Sequence, residues 1–171
     1  MLKGENIYLR SVEPSDVEWL YNCENNTEIW DLSTTLKPYT KKTLLDFASS
    51  TQDIYEHKQI RFMIISNKSN LPIGTIDLFD YEPFHNRIGV GILIDSNERQ
   101  KGLGSESLGL CLDYCKKQLQ IKGVFCNILE DNKTSISLFE KHGFEITGNK
   151  KDWIKTQNGY KNELLLQKIY G

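Results

Sequence analysis

The chain has no excess of charge of either sign: 21 Lys and Arg stand against 23 Asp and Glu in 171 residues, a net charge of −2. No basic block stands out, which speaks against a nucleic-acid binder. Long apolar runs are missing as well. No stretch approaches the ~20 residues needed to span a bilayer, and the first residues carry no signal-peptide apolar segment, so neither membrane insertion nor secretion is expected. Cysteine is sparse, and Cys23, Cys111, Cys115 and Cys126 fit no zinc-ligand spacing. Cys111 and Cys115 are four apart in a helical pattern, which predicts core packing, no metal site and a reducing, cytoplasmic setting. No repeat, low-complexity segment or linker interrupts the chain. Its 39% hydrophobic and 26% charged composition suits one compact mixed α/β domain over residues 1–171.

Hydrophobic periodicity gives the element order. Strands are expected at Ile7–Val12, Ile60–Ser66, Ile73–Asp80, Arg87–Ile94, Val124–Leu129, Glu145–Ile154 and Tyr160–Ile169, the last two joined by the hairpin turn Asn158-Gly159. Helices are expected from Pro14/Asp16, from Thr43 to about His57, from Leu103 to Lys122-Gly123, and from Asp131 or Asn132 to His142-Gly143. Trp19 is expected in the core, and His142 is expected to complement a helix dipole at its C-terminal end.

What is present between two of these elements is a glycine-bearing strand-to-helix turn, Arg99-Gln100-Lys101-Gly102-Leu103-Gly104-Ser105. Such a turn leaves unpaired N–H groups at a helix N-terminus, a natural seat for a phosphate. The glycines allow close backbone approach, and Arg99 and Lys101 add charge. The Gly-Lys-Ser/Thr ending of a Walker loop is lacking, and Ser107 stands where a dinucleotide fingerprint needs its third glycine. Three successive strands before the turn also argue against a doubly wound fold.

The turn matches the Arg/Gln-x-x-Gly-x-Gly/Ala signature of the GNAT superfamily of acyl-CoA-dependent N-acetyltransferases. Asn132-x-x-Ser135 and Leu138-Phe139-Glu140-Lys141-His142-Gly143-Phe144 resemble its second motif. The element order is similar throughout. Tyr8-Leu9-Arg10-Ser11-Val12-Glu13, Asn25-Asn26, Ile73-Gly74-Thr75-Ile76-Asp77-Leu78 and Asn158-Gly159-x-x-Asn162-Glu163 resemble the spermidine and ribosomal-protein acetyltransferase branches.

The resemblance implies a mixed, mostly antiparallel sheet of six to seven strands with about four helices, splayed at an acetyl-CoA site. It assigns the pyrophosphate to Arg99–Ser105 and the pantetheine arm to the backbone of Ile92, Leu93 and Ile94 and to Asn132, with Ser135 and Phe139 nearby. A backbone N–H near Leu93 or Ile94 would meet the oxyanion. Many members carry, at the position of Phe139, a tyrosine that protonates the departing thiolate; Phe139 cannot, and is expected to be an acyl-pocket wall or plain core. Tyr81 and Tyr160 are candidate substitutes. Dimers or larger rings are implied by the same resemblance.

The acceptor half is read from the acids. A primary amine with a pKa of about 10.4 must lose a proton before it attacks, at a cost of roughly 4 to 5 kcal/mol at neutral pH. Asp77 is the expected base, because an idle carboxylate in mid-strand among apolar residues is unusual; Asp80 is the second candidate. These two are three apart, so both face one cleft only if a bulge intervenes. Glu28, Trp30 and Glu82 are expected at the acceptor, with Glu24 and Asp31 in the same region and Trp153 as a further aromatic. The expected reaction is direct acetyl transfer to a small-molecule primary amine, a polyamine such as spermidine being among the acceptors that fit. Acetylation of a protein N-terminus and a non-catalytic acyl-CoA-binding module stand as the alternatives.

Overall fold

The computed structural model describes residues 1–30 and 37–171. One eight-stranded sheet runs through them, one strand more than the upper expectation. Its strands are β1 (Leu2–Lys3), β2 (Ile7–Ser11), β3 (Ile60–Ser66), β4 (Pro72–Glu82), β5 (Arg87–Ile94), β6 (Gly123–Leu129), β7 (Glu145–Thr156) and β8 (Gly159–Ile169). The order across the sheet is β1-β2-β3-β4-β5-β6-β8-β7. Every pair is antiparallel except β5 with β6. The additional strand, β1, is two residues long, too short to leave a periodic signal.

Among the described residues the helices are α1 (Val17–Glu24), α2 (Lys41–Ser49), α3 (Ile54–His57), α4 (Leu103–Lys117) and α5 (Lys133–Lys141). The helix expected over Thr43–His57 is thus two. Ser50 leaves α2 in extended geometry, and Asp53 starts afresh by accepting from the N–H of Tyr55 and Glu56. Helix α4 stops well short of Lys122-Gly123. The left-handed residue after it is Gln120, at φ 52°, and Gly123 opens β6 instead.

Packing divides by sheet face. Leu108, Cys111, Leu112 and Cys115 of α4, with Ile136 and Phe139 of α5, bury against Ile7, Leu9, Ile76, Leu78, Ile88 and Val90. Leu20 of α1 and Leu44 and Ala48 of α2 cover Val12, Met63 and Ile65 on the other side, and Trp19 packs against this cluster. The apolar spacing of each helix matches the face it buries. Asp16 is buried near the start of α1, its charge met by a two-pronged pair with Arg10 at 2.7 and 2.8 Å.

Candidate active site

Two features of the backbone shape the cleft. Strand β5 pairs with β6 only over Arg87–Gly89, opposite Gly123–Phe125, whereas it stays paired with β4 as far as Ile94. Strand β6 meanwhile pairs with β8 along its whole length. Residues 90–94 therefore present an unpaired edge on the side that faces β6, and the two strands part as a V. Ile92, Leu93 and Ile94 lie on this edge, as expected. An open edge inside a sheet has donors and acceptors ready for an extended ligand.

At the end of β5 the chain makes a 3-10 turn, Ser96–Glu98, then enters α4 through Gln100 at φ 62° and Gly102 at φ 78°. Gly102 is the N-cap, and no side chain caps the helix. The N–H groups of Leu103, Gly104 and Ser105 have no acceptor among the described residues, and a Cβ on Gly102 would meet nothing within 4 Å. Such an arrangement suits an anion: unpaired donors at the positive end of a 15-residue helix. The expected cationic helpers are partly engaged. Arg99 turns its Nε back to the carbonyl of Ile94 at 3.0 Å, and Lys101 pairs with Glu98 at 2.9 Å. The seat rests on backbone more than on charge.

Asn132 caps α5, accepting from the Ser135 N–H at 3.2 Å. Both side chains are half-buried on the helix turn that follows β6. Phe139 has a role the sequence does not disclose. Helix α5 ends with Phe144 N–H bonded to Phe139 O at 3.2 Å and Gly143 N–H bonded to Glu140 O at 2.9 Å, with Gly143 at φ 81°. This is a Schellman end, and the apolar contact that accompanies it is the edge-to-face pair Phe139–Phe144, with centroids 5.0 Å apart. Phe139 is 2% exposed, so its ring is core. Neither candidate tyrosine stands in for a phenol there: Tyr81 is buried against Tyr55, and Tyr160 is exposed at the start of β8.

His142 stands at the C-cap of α5, the helix end at which the sequence places it. Its imidazole Nε2 is 2.9 Å from Ser105 Oγ, and Lys168 Nζ donates to its carbonyl at 2.5 Å. Burial lowers the imidazole pKa, and Lys168 and Lys141 push the same way. The cations at the end of α5 are Lys141 in its last turn and Lys168, which reaches the His142 carbonyl.

On the opposite sheet face Arg61 gathers two acids. Its Nε and Nη2 bond the two oxygens of Asp77 at 2.6 and 2.8 Å, and its Nη1 bonds Glu24. Burial alone would lower the pKa of Arg61. The charge and hydrogen bonds of Asp77, then of Glu24, outweigh that and raise it. Asp77 is therefore engaged in mid-strand, both of its oxygens held by Arg61, a partner the sequence does not disclose. Opposite it on β5 stands Gly91, where a Cβ would meet only Phe79, at 3.8 Å. Gly89 is different, since the Phe79 ring lies 2.4 Å from where its Cβ would be.

The remaining acceptor candidates divide. Trp30 joins the cluster, its indole N–H donating to Glu24 O at 2.9 Å. Cys23, beside Glu24, has its pKa raised to about 11, first by burial and then by Glu24. Asp80 lies in a bulge of β4 at φ 49°, exposed to solvent. Glu82 accepts from the Phe84 N–H at 3.3 Å. Glu28 is exposed on the loop after α1, and Trp153 is exposed on β7 against Lys150. Asp31 falls outside the described residues. Asn25 closes the base of this loop, with two hydrogen bonds to the backbone of Tyr39 at 2.8 and 3.0 Å.

Comparison with known proteins places this geometry. A family model described as an acetyltransferase (GNAT) domain matches residues 6–145. The spermidine N(1)-acetyltransferase of Vibrio cholerae is 24% identical over 141 residues, covering 82% of this chain and 80% of that protein. The crystal structure of Vibrio cholerae spermidine N-acetyltransferase in complex with CoA and spermine superposes with a TM-score of 0.88 at 19% identity, covering 97% of this chain and 96% of that one. A dodecameric structure of a Vibrio cholerae spermidine N-acetyltransferase superposes with a TM-score of 0.81 at 20% identity, covering 97% and 95%.

Proposed function

Because this chain belongs to the GNAT acetyltransferase family, we propose that it moves an acetyl group from acetyl-CoA to a primary amine, with a polyamine such as spermidine as acceptor, by direct attack in a ternary complex. The observation that carries the donor assignment is the parting of β5 from β6 after Gly89, leading to the uncapped start of α4 at Gly102. The residues present fit an acyl-CoA. The N–H groups of Leu103, Gly104 and Ser105 take the pyrophosphate, and the free edge at Ile92–Ile94 takes the pantetheine. Asn132 and Ser135 flank it from α5. When bound, the thioester supplies the activated acyl group.

For the acceptor, the support is electrostatic. Glu24 and Asp77 carry two negative charges against the single positive charge of Arg61, an excess of one that attracts an ammonium. Asp77, with both oxygens held by Arg61, orients and attracts the amine, and the proton leaves to water. The cost of deprotonation, about 4 to 5 kcal/mol for a free alkyl ammonium, falls as the amine enters a cleft that strips its water. A free-edge N–H of β5 faces the charge that develops on the thioester oxygen. The thiolate departs without a phenol at 139, which a thiol pKa of about 8.5 permits.

We place the protein in the cytoplasm, where Cys23, Cys111, Cys115 and Cys126 remain free thiols, and infer that it self-associates, as the dodecameric neighbour does. No helix among the described residues is long and apolar enough to cross a membrane. Steady-state thiol release with acetyl-CoA tests the acceptor across a panel of spermidine, other amines and N-terminal peptides. Turnover is expected on polyamines. Turnover confined to peptides would transfer the activity to protein N-termini, and binding without any turnover would leave an acyl-CoA sensor.

A further inference from the structure

A second hollow lies behind the donor seat, between the C-terminal half of α4 and the end of β8. It has a volume of about 300 Å³ and is lined by Leu112, Asp113, Lys116, His142, Lys168 and Tyr170 among others. Lys116 Nζ and Lys168 Nζ converge on the ring of Tyr170, at 5.6 and 5.5 Å from its centroid. Among the described residues neither ammonium has a carboxylate partner. Asp113, the carboxylate of the lining, is bound to Lys117 at 2.7 Å. Cation–π contact contributes only about 0.5–1 kcal/mol at an exposed site and neutralises nothing. Lys168 gives one N–H to His142 O, which leaves two for a ligand, and Lys116 gives none to the fold. The Tyr170 hydroxyl is spent on Leu112 O at 3.0 Å.

We propose that this hollow binds a phosphate-bearing anion, at a site separate from the acetyl-CoA seat and independent of the acceptor assignment. Two ammoniums converging on one side of a concave wall, with no counter-charge of their own, suit a phosphoryl group. The volume exceeds that of one such group, water itself taking about 30 Å³ per molecule, so a phosphomonoester also fits. His142 borders both sites, through its contact with Ser105 on one side and its place in the hollow on the other.

The test is an NMR titration of His142 in the full chain, at matched ionic strength, with chloride, inorganic phosphate and adenosine monophosphate as probes. Burial is the first cause that holds the imidazole pKa down and the Lys168 charge the second, so an anion beside Lys168 offsets that second part: phosphate is expected to raise the pKa and chloride to leave it unchanged. Stronger binding of the nucleotide than of phosphate assigns a phosphomonoester; equal binding assigns the phosphoryl group alone. Lys116→Gln, at an ammonium that holds no hydrogen bond in the fold, is expected to weaken phosphate binding about 10- to 150-fold, as loss of one charged hydrogen bond does. Lys116→Glu should abolish it. The effect of phosphate is expected to persist in CoA-saturated protein. No response of His142, an unchanged affinity in Lys116→Gln, or loss of the response on adding CoA would each overturn the proposal.

Discussion

Replacing Gly102 by valine separates the donor seat from the fold that builds it. Gly102 holds φ 78°, and a Cβ added there would meet nothing within 4 Å, so the cost to the fold is backbone strain and not collision. A side chain in left-handed geometry costs about 1–2 kcal/mol, and a domain of this size loses about 2–4 °C of Tm per kcal/mol, so Tm should fall by about 2–8 °C. The added isopropyl group enters the space in front of the Leu103, Gly104 and Ser105 N–H groups. Loss of one charged hydrogen bond there, about 1.5–3 kcal/mol, weakens CoA binding about 10- to 150-fold. Calorimetric titration with CoA reads the affinity and a thermal melt reads the strain. Gly102→Asn is the companion, since asparagine tolerates left-handed geometry. It should restore most of the Tm yet still bind CoA weakly, because its side chain occupies the same space. Native affinity in both variants would refute the seat.

Three further outcomes are expected. Phe139→Tyr puts a hydroxyl into the Phe139–Phe144 contact and should cost about 1–3 kcal/mol by thermal melt, without raising kcat; a gain in kcat would show that the phenol belongs there after all. Asp77→Asn should raise the KM for the amine more than it lowers kcat, whereas a general base would lose about 10²–10⁴-fold in kcat. Because the imidazole pKa of His142 is lowered on folding, the unfolded chain binds its proton more readily. This residue therefore contributes a loss of stability as pH falls below about 6.5, complete once pH passes the folded value, and none above neutrality. His142→Gln should flatten the decline in Tm between about pH 7 and 5, and an unaltered slope would contradict the assignment.

What can be read from the chain depends on the range of the interaction. Leu108, Cys111, Leu112 and Cys115 announce α4 because the residues that pack together are one turn apart. His142-Gly143-Phe144 announces the end of α5 for the same reason. The Arg61–Asp77 pair is hidden by a bulge. The register shifts between Ile64 and Ile65, and without that shift Arg61 would stand opposite Ile76 instead of Asp77. Counting back from the Asn67–Asn70 turn therefore gives the wrong partner, and the sequence leaves the Arg61 that holds Asp77 unseen. The left-handed conformations of Asp80, Gln100 and Gln120 are equally hidden, since no glycine marks them. The V between β5 and β6 depends on where a parallel pairing stops, a tertiary fact with no local signature. The glycine turn points to it only through family resemblance. Phe139 is legible as apolar, but its service as the cap contact emerges only with Phe144 folded against it.

The proposed reaction depends first on where acetyl-CoA lies. Backbone amide shifts on titration with CoA test this most directly. The largest changes, with protection from hydrogen exchange, are expected on Ile92, Leu93 and Ile94 of the free edge and on Leu103, Gly104 and Ser105 at the start of α4. Changes confined to other surfaces, with these six amides unmoved at saturation, would contradict that placement.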